Sequence, residues 1–290
     1  MSDASDVTTQ PTAAARSALV ERAGRERALP CYAEEAPSAA LAPWVACYWT
    51  MHARDASPVT SRVLPDGCAD VIVDLSARPD PYVVGTMRRA LVVPFAGRVD
   101  MFGVRFRPGG ALPFLGASLA ELCDRRVPLD ALWGGVAGEL ADALASAAPG
   151  ERAASVERVL RRRAREPRPE EVAVARAVAL LRRARGGARV RDVAAALGVG
   201  ERWLERAFDR CVGLSPKMLA RVLRFRHAVR RIERRDGEGD TWAGVAFAAG
   251  YADQPHLIRE FRELAGATPA EYAAEHRRVG FVQYGDGRGA

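Results

Sequence analysis

One helix-turn-helix pattern occurs twice in the last third of the chain, with a basic helical stretch between the copies. The first reads Val190-x-x-Val193-Ala194-x-x-Leu197-Gly198-Val199, then Leu204-x-Arg206-x-Phe208. The second reads Trp242-x-x-Val245-Ala246-x-x-Ala249-Gly250-Tyr251, then Leu257-x-Arg259-x-Phe261. Apart from one extra residue after the second turn, the copies stay in register. Val190, Val193, Ala194 and Leu197 fall at i, i+3, i+4 and i+7, on one helical face. Gly198 and Gly250 stand where a left-handed residue ends a helix. Few architectures need such a repeat, and a paired reading head for DNA is one of them.

The second helix of each copy has an inward and an outward face. Leu204 and Phe208 turn to the core, which leaves Arg202 and Arg206 one turn apart on another face. In the second copy Asp253 is a good N-cap, and Pro255 fits the first turn because its missing N–H would have no intrahelical partner. Leu257 and Phe261 point inward, so Gln254, His256 and Arg259 face outward. A joining helix begins at Ser215-Pro216 and runs to about Arg235. Its length of about 31 Å nearly matches the roughly 34 Å between successive major grooves on one face of DNA, so one monomer can present both heads.

Charge agrees with an acidic partner. The net charge is +7 and the pI about 9.6, and the basic groups cluster: between Glu151 and Arg235 there are about two dozen against about ten acidic ones. Nearly all are arginine, which suits bidentate contacts to guanine and phosphate. An Ala- and Arg-rich compositional bias accounts for arginine over lysine but not for the clustering. Five cysteines without a C-x-x-C pair read as reduced thiols. With neither a signal segment nor a membrane-length apolar run, a cytoplasmic protein is expected.

The chain divides into a loose leader (1–30), a strand-rich domain (31–150), a linker (151–169) marked by Arg161-Arg162-Arg163 and Pro167-Arg168-Pro169, a helical domain (170–282) and a tail (283–290). Short apolar runs punctuated by Gly and Pro between Ala42 and Arg107 suggest a small barrel or sandwich, followed by helices from about Leu112 to Ala148. The fold class is therefore α+β in two domains, the second all-α with two helix-turn-helix units joined by a long helix.

The stretch Gly250-Tyr251-x-Asp253-Gln254-x-His256-Leu257-x-Arg259-x-Phe261-Arg262, followed by Gly266-x-Thr268-Pro269-x-x-Tyr272, resembles the signature of the AraC/XylS family of bacterial transcription regulators. Gly213-Leu214-Ser215-Pro216 resembles the end of the first copy, and the resemblance runs from about Glu170 to Arg278. It implies two helices entering neighbouring major grooves of double-stranded DNA, with Arg202, Trp203 and Arg206 from the first and Gln254, His256, Arg259 and Arg262 from the second as the DNA-binding set. It further implies a small-molecule effector or a homodimer acting through the N-terminal domain, and RNA polymerase as a partner where the protein activates. There are departures. Gly200 replaces the usual Ser cap, Trp242 and Ala249 replace aliphatics, and Glu201 and Glu205 place negative charge near the first head. For Arg259, an ion pair with Glu263 one turn on competes with a DNA contact.

Val63-Leu64-Pro65-Asp66-Gly67-Cys68-Ala69-Asp70 and Phe102-Gly103-Val104-Arg105-Phe106-Arg107-Pro108-Gly109-Gly110 resemble an N-terminal module of some of these regulators, a resemblance that carries no ligand. Asp66, Asp70, Arg105, Arg107 and His52 are candidates for a pocket. The favoured alternative makes Asp66-Gly67 a hairpin turn and Arg105 and Arg107 outward strand positions. Trp44, Tyr48 and Trp49 read as core, Cys68 as a buried thiol. Four scattered histidines give no metal site, and neither a cofactor nor a catalytic group is expected. The competing class is an enzyme or repair module with a cysteine acceptor, fused to the DNA-binding part.

Overall fold

The computed structural model describes residues 29–234 and 241–279. The expected leader lies almost wholly outside the described residues, and the tail lies entirely outside them. Among the described residues six strands form one antiparallel sheet: β1 (Cys31–Glu35), β2 (Val45–Val63), β3 (Ala69–Asp74), β4 (Asp80–Val84), β5 (Leu91–Phe106) and β6 (Arg126–Pro128), in the order β1-β2-β5-β3-β4-β6.

The sheet is covered on both faces. Val71, Val73, Val104 and Phe106 enter the main core, whereas Ile72, Trp49, Met51 and Met101 enter a smaller one on the other side. In β2 a register shift between Val45 and Cys47 reverses the alternation, so Val45 and Tyr48 share the main core while Cys47 and Trp49 face the other. Tyr48 and Trp49 are thus core residues, and the Trp49 indole N–H donates to Asp70 at 2.7 Å.

Two strands are far longer than their apolar runs. Residues 91–93 and 101–106, read as separate strands, belong to one continuous β5 that pairs with β2 from Val45 to Val63. The stretch Ala53–Val63 is polar and contains Pro58, which falls in an interrupted part of the ladder between Ala56 and Val59. Val63 lies opposite Leu91, and Ala69 opposite Phe106. Six residues reach at most about 21 Å, but fifteen positions of straight strand span roughly 50 Å. The β2–β5 ribbon must therefore curl back on itself, and the register shifts supply the bends.

Five helices follow: α1 (Leu112–Leu115), α2 (Leu119–Leu122), α3 (Asp130–Trp133), α4 (Gly135–Ser146) and α5 (Arg152–Arg163). The last occupies most of the expected linker. It buries Ala153, Val156 and Leu160 in the main core, and its three terminal arginines sit in the last turn, where the helix dipole favours cations. The helix-breaking prolines act only beyond Arg163, so the unstructured connection shrinks to residues 164–168.

The helical part comprises α6 (Pro169–Arg183), α7 (Val190–Ala196), α8 (Glu201–Val212), α9 (Pro216–Glu233), α10 (Trp242–Ala248), α11 (Gln254–Ala265) and α12 (Pro269–Val279). The first helix-turn-helix unit shares the main core with the sheet through Val174, Leu181, Phe208 and Val212. The second builds its own core from Phe225, Val229, Leu257, Phe261 and Tyr272, joined by Leu64 just past the end of β2. Among the described residues no helix is long and apolar enough to cross a membrane.

Candidate nucleic-acid interface

Each helix-turn-helix unit forms as its pattern requires. Helix α7 ends before Gly198 (φ +68°), and α10 before Gly250 (φ +80°). Gly200 caps α8 without a side-chain bond, whereas the Asp253 carboxylate accepts the His256 N–H at 2.7 Å at the start of α11. Leu204, Phe208, Leu257 and Phe261 are fully buried, each worth about 1.5–3 kcal/mol of apolar burial. These anchors fix the rotation of α8 and α11 and so decide which side chains face solvent.

On α8, Arg202 and Arg206 are exposed, as are Glu201 and Glu205, while Trp203 is half-buried against the main core. On α11, Arg259 and Arg262 are exposed and Gln254 and His256 half-buried. The His256 ring packs edge-on against Tyr251, and its Nδ1 accepts the Ala252 N–H at 3.5 Å. The competing Arg259–Glu263 pair does not form. Glu263 instead takes Arg221 of α9 at 2.6 Å, and the same guanidinium holds Glu260 at 2.9 Å. Among the described residues Arg202, Arg206 and Arg259 make no ion pair. Trp242 and Ala249, the departures from the usual aliphatics, both pack onto the second core.

The joining helix α9 has 18 residues, about 27 Å of axial rise, slightly shorter than its sequence suggested. It is largely buried along Leu219, Val222, Phe225 and Val229, and the Ser215 hydroxyl caps it by accepting the Met218 N–H at 3.1 Å.

The sheet side departs from expectation. Asp66-Gly67 is not a hairpin turn: β2 and β3 flank β5, and the connection crosses between them. Its local turn is closed by the Cys68 N–H donating to Asp66 at 2.8 Å. Arg105 is buried rather than outward, with carboxylate oxygens of Asp70, Asp66 and Glu34 at 3.2, 3.7 and 3.8 Å. Asp66, Cys68, Arg105 and Arg107 line one cavity, but His52 is exposed on the sheet and does not join it. Burial first, then Asp66, pushes the Cys68 thiol well up, a direction that disfavours the thiolate. Among the described residues no group of three His, Cys, Asp or Glu side chains is placed to hold a metal.

Sequence spacing did not reveal the contacts between sheet and helices. The buried Thr86 hydroxyl donates to the Val212 carbonyl at 2.9 Å, and the Ala90 N–H to that of Leu264 at 2.7 Å. These join residues more than a hundred positions apart, and no local pattern marks them.

A family of unknown function, DUF6597, matches residues 33–128, and a helix-turn-helix domain family matches residues 170–275. No curated protein matches the chain. Among solved structures, an AraC-type transcriptional regulator from Chromobacterium violaceum is 24% identical over 40% of this chain and 96% of its own, with a TM-score of 0.34. ToxT from Vibrio cholerae, solved with an unsaturated fatty acid, is 12% identical over 86% of this chain and 96% of its own, with a TM-score of 0.39. ToxT bound to a naphthalenyl-butenoic acid is 11% identical over 76% and 98%, with a TM-score of 0.41. The doubled helix-turn-helix with its Gly250–Tyr272 signature lies on the segment matched by the helix-turn-helix family, so the chain carries an AraC-type helix-turn-helix domain behind a DUF6597 domain.

Proposed function

We propose that this DNA-binding transcription regulator reads two adjacent major-groove segments with α8 and α11, and that its N-terminal domain modulates that reading through a small-molecule effector or homodimerisation. One observation carries the reading. Arg202 and Arg206 on one side, and Arg259 with Arg262 on the other, stand exposed on the second helices of two units spaced by a single buried helix. Arg206 and Arg259 are the base-reading candidates, since a guanidinium fork pairs bidentately with guanine. Arg202 and Arg262 fit phosphates, which position the protein. Gln254 serves as an adenine reader, His256 contributes its remaining ring nitrogen, and Trp203 supports the first head from beneath. DNA in the cytoplasm is the proposed partner, with RNA polymerase where the protein activates. We place the boundary between the sensing and reading parts at residues 164–168.

The test is selection of bound duplexes from a random library by the full-length protein at stated salt. Two short boxes with centres about 10 base pairs apart support the reading. Duplication of that pair adds a homodimer. A single box overturns the two-headed reading, and salt-sensitive binding without sequence enrichment overturns sequence-specific regulation.

A further inference from the structure

A cleft of about 570 Å³ lies between the two helix-turn-helix units. It is lined by Arg189 at the cap of α7, by Lys217, Arg221 and Arg224 of α9, and by His256 and Glu260 of α11, so both units and the helix between them contribute. Lys217, Arg221 and Arg224 recur at i, i+4 and i+7, a cationic stripe on one face of α9. Glu260 is the single carboxylate among the described lining residues, and Arg221 occupies it at 2.9 Å. Arg224 donates to the Gly186 carbonyl at 3.2 Å. Among the described residues Arg189, Lys217 and Arg224 make no ion pair, and the first two are exposed. Lys217 lies in the first turn of α9, which holds no acidic residue, and the helix dipole disfavours a cation there. An anion entering the cleft therefore relieves repulsion that the free protein leaves in place.

From this geometry we infer that the cleft seats the sugar–phosphate backbone of the duplex where it passes between the segments read by α8 and α11. The anion is a polymer and not a small ligand, because small-molecule pockets are mostly apolar and most of this wall is ionisable. Lys217 and Arg224 are seven positions apart, about 10 Å of helix. Over that span one strand carries about three phosphates, at roughly 3.4 Å each along the axis. Arg189 adds a contact from the first unit. These groups are positioning residues: they fix the register of both heads on one duplex and carry no base preference of their own. The inference deepens the two-headed reading and rests on it.

The experiment measures duplex binding by the full-length protein over a range of salt, with a duplex from the selected pool and a shuffled duplex of equal length. Arg189→Gln and Lys217→Gln, both at exposed positions, test the cleft, and Arg259→Ala supplies the contrast of a base contact. Each cleft variant should weaken binding to both duplexes by the same factor, keep the selected sequence, and reduce the slope of log affinity against log salt by about one. A second readout uses Lys217 directly. It is the only lysine in the sequence, so it offers an amine-selective acylating reagent a single side-chain target. Its acylation, mapped by peptide mass, should slow severalfold when saturating duplex is bound. Unchanged slopes in both variants, a loss confined to one base position, or equal acylation of free and bound protein overturns the inference. The selected pool separates that failure from failure of the two-headed reading. Two boxes with unchanged slopes and an unprotected Lys217 keep the two heads and remove the cleft contact. A single box with lowered slopes and a protected Lys217 removes the second head and keeps the phosphate contact.

Discussion

Arg62 and Glu275 meet across the junction of the two domains, with the Arg62 Nε donating to the Glu275 carboxylate at 3.0 Å. The same guanidinium donates through Nη1 to the Ala265 carbonyl at 2.7 Å, and the neighbouring Ala90 N–H donates to Leu264 at 2.7 Å. Leu264 and Ala265 close α11, where carbonyls have no intrahelical partner. The curled ribbon of the sheet therefore caps α11, with a cation at its negative end. Arg62→Ala should cost about 1–3 kcal/mol in urea unfolding and speed amide exchange in α11 and α12 while leaving α8 unchanged. Equal exchange in both units would show that the ribbon merely rests on the second one.

Two glycines with similar backbone angles should respond very differently to Ala. Gly250 (φ +80°) has open space where a Cβ would stand, so Gly250→Ala suffers only the backbone cost of a left-handed residue, about 1–2 kcal/mol. Gly213 (φ +77°) would place its Cβ 2.5 Å from the Leu119 carbonyl oxygen and 2.6 Å from the Thr86 hydroxyl. Gly213→Ala should therefore cost more and separate the first unit from the sheet, breaking the Thr86–Val212 bond. Comparing the two melting temperatures checks this, and equal losses would mean that the domain contact yields freely.

The thiols bear on the enzyme alternative. Burial pushes Cys47 up to about 12 and Cys211 to about 12, and raises Cys68 and Cys123 as well. Cys31 is exposed. At neutral pH a thiol reagent should label one equivalent quickly in the native protein, and Cys31→Ser should abolish that phase. Rapid labelling of Cys68 instead would restore the acceptor-cysteine reading.

What the sequence made legible was local. The turn glycines Gly198 and Gly250, the Asp253 cap and the inward Leu and Phe positions act within two helical turns, so periodicity alone placed Arg202, Arg206 and Arg259 on the surface. The ribbon was not legible, because Ala53–Val63 owes its strand to pairing with β5, some forty residues on, rather than to an apolar face. Helix α5 was hidden by its own arginines, which mark its end rather than a linker. The cavity lined by Asp66, Arg105 and Arg107 had only partial signals: Arg105 and Arg107 are neighbours, but Asp66 lies about forty positions earlier and meets them only through strand pairing and packing.

Asp100 gives the fold an acid-sensitive point. Arg152 grips it with two bonds, at 2.7 and 3.1 Å, and both residues are buried. Burial alone would raise the Asp100 carboxyl, but the hydrogen bonds and charge of Arg152, aided by His52 and Arg98, hold it below its ordinary value. A carboxyl lowered on folding stabilises above its unfolded pKa of about 3.9, and that contribution is lost as pH falls through the folded value. Urea stability should thus fall between roughly pH 5 and pH 3. Arg152→Met should lose about 3–5 kcal/mol at neutral pH and show a flatter acid limb, and parallel limbs would assign the acid loss to other carboxylates.

Arg221 of α9 occupies two carboxylates of α11, those of Glu260 and Glu263. By holding Glu260 and Glu263 against α9, it keeps Glu263 from Arg259, its neighbour one turn away. Arg259→Ala should relax preference at one base position and cost about 1–3 kcal/mol at that position, as for a bidentate base contact. Arg221→Ala should act differently. It frees two carboxylates on α11 and lets Glu263 compete for Arg259, so under the proposed reading affinity should fall, and preference at the Arg259 position should weaken with it. Restoring that preference by Arg221→Ala with Glu263→Gln would tie the loss to the released carboxylate. If the double variant reads no better than Arg221→Ala alone, the arginine supports α11 by packing and not by occupying its acids.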